Sequence, residues 1–219
     1  TTGIKVDTGY IDLTLPADYL AGLDEKNIAI VMVMKGYDSN DEGAHYLDVA
    51  GEDDALNVYH DSTWDGVNLA WDAAGNALAL QQQNGTADSL ANWMFSVMPG
   101  SAKGWMHRNG VQEEEDLITV NDLAVLSGTT IRLGDTLGGT DDAKAHFGFF
   151  AILDLSGCTG VDETWLDNLA AKINIECGDN SYDPERIRHY IYDYDNDITG
   201  YCRKLDETVS GETAVARYH

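Results

Sequence analysis

The sequence predicts an all-β protein, a two-sheet antiparallel sandwich closed by one or two short C-terminal helices. Three observations carry this. From Ile4 to about Leu155 the chain reads as short β-type runs broken by Gly, Asn and Asp clusters about every 8 to 15 residues, the pattern of a sandwich or barrel. Helical chemistry enters only after residue 158. A length of 219 residues, 43% hydrophobic, suits one large sandwich better than two small domains.

The clearest strand is Asn27-Ile-Ala-Ile-Val-Met-Val-Met-Lys35, an apolar run suited to a central strand buried on both faces. Asn57-Val-Tyr-His60, Val67-Asn-Leu-Ala-Trp71 and Ala77-Leu-Ala-Leu-Gln81 mix apolar and polar residues, as strands with one wet face do. Ser89 to Met98 forms a further run that Pro99-Gly100 ends, because proline cannot continue a central strand and Pro-Gly favours a turn. Asn109-Gly110 then supplies two residues tolerant of positive φ, the requirement of a type I′ hairpin, between Trp105-Met106 and Val111. A three-stranded meander follows from these signals. Thr129 to Gly134 and Ala145-His-Phe-Gly-Phe-Phe-Ala-Ile-Leu-Asp154 are two more strands. Thr159 with Asp162 reads as a capping box, after which Trp165, Leu166, Leu169, Ala170 and Ile173 share one helical face. Asp183-Pro184 is a second helix start, leading to Ile187, Ile191 and Tyr194 at helical spacing. The last 25 or so residues read as a loose acidic arm, in which Thr213 to Tyr218 has the composition of an edge strand for this subunit or a neighbour.

From about Trp93 to Leu169 the chain resembles the concanavalin A-like, laminin G-like superfamily. The carriers are Trp105-Met-His-Arg-Asn-Gly110, Ile131-Arg-Leu-Gly134, the strand Phe147-Gly-Phe-Phe-Ala-Ile-Leu-Asp154 with its Phe directly beside Gly, and the short helix around Trp165-Leu-Asp-Asn-Leu169. The resemblance implies a jelly-roll sandwich over residues 1–175, of a kind found in virus surface proteins and in lectins. Residues 176–219 have no place in it and are expected to form an interaction segment.

Charge narrows the partners. The 38 acidic residues against 13 basic give a net charge of −25. A surface this acidic repels phosphates, so nucleic acid is excluded as a direct partner. Carboxylate self-repulsion would be screened in a marine or hypersaline setting, although lysine is not depleted relative to arginine. No run reaches the roughly 18 apolar residues of a membrane span, and the first ten residues show neither the basic nor the apolar region of an export signal. The expected setting is a virion surface or the extracellular space, reached by a route such as virion release or after loss of a signal. Cys158, Cys177 and Cys202 lack metal-type spacing; three buried thiols and a Cys177–Cys202 disulfide are the two readings.

No catalytic pattern emerges. Glycan-cleaving enzymes on this fold carry paired carboxylates on one strand as Glu-x-Asp-x-x-Glu, and the nearest matches, Glu52-Asp-Asp54 and Glu113-Glu-Glu-Asp116, lack the last Glu and read as solvated loops. The six histidines stand at no ligand spacing. Calcium is the cofactor an acidic chain could hold, through Asp193, Asp195 and Asp197 at alternate positions or through Asp38, Asn40 and Glu42, both without the closing twelfth-position Glu. Sugar rings stack on exposed aromatic faces while carboxylates bond the hydroxyls, which singles out Trp64 with Asp61 and Asp65 in a loop; Trp71, Trp93 and Trp105 belong to the core. Tyr182, Tyr190, Tyr192, Tyr194 and Tyr201 make the C-terminal segment a surface for a neighbouring subunit. Two functions follow as expectations. One is a non-enzymatic assembly protein, a virion decoration, spike or tail-fibre domain that forms homo-oligomers. The other is a carbohydrate-binding module or lectin that reads host surface glycans.

Overall fold

A computed structural model describes residues 4–6, 9–16, 19–36, 44–51, 56–61, 66–72, 78–81, 90–118, 123–138, 143–177, 188–191 and 201–204. Two six-stranded antiparallel sheets face each other. Sheet I runs in the order β1 (Ile4–Val6), β12 (Ala145–Asp154), β3 (Ile28–Gly36), β8 (Ala91–Met98), β9 (Lys103–Arg108), β10 (Val111–Leu117). Sheet II runs β2 (Ile11–Thr14), β11 (Leu126–Leu133), β4 (His45–Gly51), β5 (Leu56–Asp61), β6 (Gly66–Trp71), β7 (Leu78–Gln81).

The two sheets bury themselves differently, and the sequence patterns show why. Sheet I is apolar on both faces. Ile28, Ile30, Met32 and Met34 of β3 and Trp93, Phe95 and Val97 of β8 point into the sandwich, whereas Ala29, Val31, Met94, Met98 and Trp105 point away from it. The second set is covered by α1 (Glu163–Cys177), which lays Leu166, Leu169, Ala170 and Ile173 on it. Every residue of β8 is consequently buried. Among the described residues no helix covers sheet II, and its strands alternate apart from irregularities in β4 and β11. Its inward rows are Ile131, Val49, Leu56, Trp71 and Leu78, and Leu133, Leu47, Val58, Leu69 and Leu80.

Ser96 breaks the apolar face beneath α1. It stands between Ala29 and Trp105 in register, is fully buried, and its hydroxyl has no hydrogen-bond partner. A buried hydroxyl without a partner is a net cost, so Ser96→Ala is expected to stabilise the fold by about 1 kcal/mol, raising Tm by roughly 2–4 °C. A lower Tm in a thermal melt would show that the hydroxyl is bonded after all.

The meander is built as its turn chemistry requires. Pro99–Ser101 forms a short 3-10 turn between β8 and β9, and Asn109 (φ 50°) and Gly110 (φ 79°) join β9 to β10 with both φ values positive. Trp71, Trp93 and Trp105 are all core residues, and the Trp71 indole N–H is satisfied by the Ala124 carbonyl at 2.9 Å.

Three local expectations are corrected. The helix cap is Asp162, whose carboxylate accepts from the Trp165 N–H at 2.8 Å; α1 therefore starts a turn later than a Thr159 cap would place it. Glu113 to Asp116 is part of edge strand β10, where Glu115 takes Lys103 and the Trp105 indole and Asp116 accepts from the Ala79 N–H across to β7. Charged residues on an edge strand block pairing with other chains. In the C-terminal segment, Arg188–Ile191 is a strand (β13) paired with Tyr201–Lys204 (β14) where a second helix was expected. A four-residue run takes its structure from its pairing partner more than from an i, i+4 coincidence of Ile187 and Ile191. Asp183-Pro184 and Thr213 to Tyr218 lie outside the described residues, as do both calcium-type segments.

Candidate functional site

The outward face of sheet II is the polar surface of the molecule that the fold organises most closely. Its strands present two rows, fixed by register. Asp12, Arg132, Asp48, Asn57, Ala70 and Ala79 stand side by side across the sheet in one. His45, Tyr59, Asn68 and Gln81 form the other. Asp61, at the end of β5, follows on the same face opposite Gly66. Alternation with period two sends these residues outward because Leu56, Val58, Val67 and Leu69 take the core side.

His45 reaches this face through a β-bulge. β4 pairs His45 with Tyr59 but Leu47 with Val58, so Tyr46 is the extra residue. Strict alternation would place His45 on the core side with Leu47 and Val49. The bulge reverses it, drives the Tyr46 side chain into the core (1% exposed), and stacks the imidazole on the Tyr59 ring at 5.8 Å.

The two rows form a platform whose centre is buried. Asn68 is fully buried and Asn57 nearly so, although both point away from the sandwich interior. The Asn68 amide donates to Asp61 at 3.4 Å and bonds the Tyr59 hydroxyl. Burial pushes the Tyr59 phenol above its ordinary range, with the Asn68 bond pulling the other way and the Asp61 charge adding to the rise. Tyr59 is thus a neutral hydroxyl across the physiological range.

At the opposite end of the platform, Arg132 locks a loop to the sheet. Its Nε and Nη2 donate to the two Asp12 oxygens at 2.8 and 3.0 Å, and its Nη1 donates to the carbonyls of Thr136 and Leu137 at 3.1 and 3.3 Å. The Tyr10 ring covers the guanidinium at 3.4 Å. Asp48 accepts from the Leu137 N–H at 2.6 Å, which holds its carboxylate over the same loop.

Of the residues singled out from the sequence, the structure brings Asp61 onto this platform, half-buried beside Asn68. Trp64 and Asp65 lie outside the described residues, in the connection from Asp61 to its ladder partner Gly66. Asp193, Asp195 and Asp197 also lie outside them, and among the described residues no group of three His, Cys, Asp or Glu is placed to hold a metal ion. Tyr182, Tyr192 and Tyr194 are likewise outside, while Tyr190 is on β13 opposite Cys202 and Tyr201 on β14 opposite Ile191. Cys158 is a free, half-buried thiol. Sequence reasoning did not single out His45, Asp48, Asn57, Tyr59, Asn68, Gln81 or Arg132. The one-wet-face pattern of β5, β6 and β7 marks Asn57, Tyr59, Asn68 and Gln81; nothing local marks the rest.

No protein-family model matches the chain, and no curated protein matches it in sequence. Solved structures do. The carbohydrate-binding module CBM40 of the Ruminococcus gnavus IT-sialidase superimposes with a TM-score of 0.58 at 13% identity, over 78% of this chain and 97% of that one. The same module bound to α2,3-sialyllactose gives 0.57 at 15%, over 80% and 97%. A heptameric SAP-like pentraxin from Limulus polyphemus gives 0.52 at 12%, over 78% of each chain, and the binding domain of botulinum neurotoxin serotype D gives 0.55 at 10%, over 84% and 43%. The fold is a two-sheet jelly-roll sandwich of the architecture these structures share. At these identities the likeness defines the architecture of this jelly roll and leaves its ligand to be argued from its own residues.

Proposed function

We propose that this jelly roll is a non-enzymatic carbohydrate-binding module whose ligand lies on the outward face of sheet II. The observation that carries the reading is the pair of register-aligned rows, which sets an aromatic pair, His45 and Tyr59, beside Gln81, Asp61 and Asp48, with the buried Asn57 and Asn68 between them. Sugars are recognised by this combination, a ring face to stack on and planar polar groups that take paired hydroxyls. Trp64, singled out from the sequence between Asp61 and Gly66, is carried into the test as a second stacking candidate. The carbohydrate-binding modules among the structural neighbours support the reading at the level of architecture.

The test is binding to a broad glycan array, followed by His45→Ala and Trp64→Ala. Each substitution is expected to weaken binding by about tenfold, the loss of one stacking contact worth roughly 1–1.5 kcal/mol, with an unchanged far-UV spectrum and Tm. Wild-type protein that binds no glycan, or variants that bind as wild type does, would overturn the assignment. Assembly on a virion surface rests on sequence readings, namely a jelly roll without a catalytic pattern, the lack of an export signal, the acidic composition and the C-terminal tyrosines, whereas the neighbours named above are a carbohydrate-binding module, a pentraxin and the binding domain of a neurotoxin. The platform therefore favours glycan recognition as the primary role.

A further inference from the structure

We infer that the platform selects uncharged glycans and rejects those ending in a sialic acid or another carboxylated sugar. This rests on the glycan-binding reading above and deepens it. A carboxylated sugar has to exchange the water around its charge for a cation or for several unoccupied donors. Among the described residues of sheet II the single permanent cation is Arg132, and four of its five N–H groups are already committed. Two edges of its guanidinium are taken by Asp12 and the loop carbonyls of Thr136 and Leu137, one face is covered by Tyr10, and the residue is 9% exposed.

Against that spent cation stand Asp12, Asp48 and Asp61, all on the outward face. Asp12 is neutralised by Arg132, but Asp48 and Asp61 lie at the two ends of the Asn57–Tyr59–Asn68 centre with neutral donors on them, the Leu137 N–H and the Asn68 amide. Such carboxylates accept from sugar hydroxyls and repel a sugar carboxylate. The net charge of −25 works in the same direction at longer range. The recognition chemistry therefore differs from that expected of a sialoside receptor, even though a sialyllactose-bound module has the same architecture.

The experiment is a matched-pair measurement by calorimetry on the full chain: each neutral oligosaccharide found on the array against the same oligosaccharide carrying a terminal sialic acid, in EDTA and again in calcium. Sialylation is expected to weaken binding by about tenfold or more at low salt, and the penalty to shrink as salt rises from about 0.05 to about 1 M. Asp61→Asn, which removes one carboxylate and keeps its size, is expected to lower the neutral-to-sialylated affinity ratio. Equal or tighter binding of the sialylated partner, with or without calcium, overturns the inference while leaving glycan binding intact. A penalty indifferent both to salt and to Asp61→Asn overturns its electrostatic basis. Failure of both partners to bind overturns the glycan-binding reading itself, and this inference with it.

Discussion

Gly110→Ala is expected to destabilise the protein by about 3 kcal/mol, a fall in Tm of roughly 6–12 °C. Two costs add. Gly110 has φ +79°, where a side chain costs about 1–2 kcal/mol. A Cβ there would also lie 2.9 Å from the Asn174 Cβ, 3.1 Å from the Ala171 Cα and 3.3 Å from the Ala170 carbonyl oxygen. Two of these are backbone atoms of α1, so the helix has to lift from sheet I, an overpacking cost of about 1–3 kcal/mol. The same hairpin is tied to the helix beside this contact, where the Asn92 amide donates to Asn174 at 3.0 Å and Asn109 accepts from the Asn92 N–H at 3.1 Å. Gly22→Ala is the control, because Gly22 has φ +76° but open space around it. It should cost about 1–2 kcal/mol, the backbone share alone. Equal losses for the two variants, measured by urea unfolding, would show that the turn and helix do not press on each other.

Arg132→Leu is expected to cost a further large amount, about 3 kcal/mol, because it strips donors from Asp12 and from two loop carbonyls at once. The loop at Thr136–Leu137 also carries the N–H that holds Asp48, so under the proposed function the variant should lose glycan affinity together with stability. Arg132→Lys is not expected to rescue either, since an ammonium cannot make the forked contact with Asp12. The effect depends on pH with a definite sign. The bond from Arg132 is the largest influence on Asp12 and holds its carboxyl below the ordinary carboxylate range, against a smaller opposing effect of burial. A lowered folded-state pKa contributes stability that is present above the unfolded value and is lost as pH falls through the folded one. The gap between wild type and Arg132→Leu should therefore be widest at neutral pH and narrow below about pH 4. A gap that stays constant down to pH 2 or so would mean that the ion pair contributes nothing beyond packing.

Much of the sandwich was legible because its signals are local. The doubly apolar run at Ile28 to Met34 is buried throughout; Asn109-Gly110 is the positive-φ hairpin; and Leu166, Leu169, Ala170 and Ile173 form the buried face of the helix. Ala145–Asp154 is a strand over the length read from its sequence. Strands β1 and β2, of three and four residues, are too short to show a period, and they exist through pairing with Phe147 and Ile131 far along the chain. β4 was missed for another reason: His45-Tyr-Leu-Asp-Val-Ala-Gly51 carries a bulge that breaks its own alternation.

The sequence alone determined which residues could be outward on β5 and β6, because a residue between two core side chains on a strand has one direction left. It also determined that the only charge in excess is negative. Tertiary structure decided everything that depends on a partner strand. It set His45 beside Tyr59 through an extra residue at Tyr46, aligned Asp48 with Asn57 and Arg132, and joined Arg132 to Asp12 across 120 positions of chain. Register and bulges are chosen by the neighbouring strand and the buried face it shares, and no window of sequence contains both.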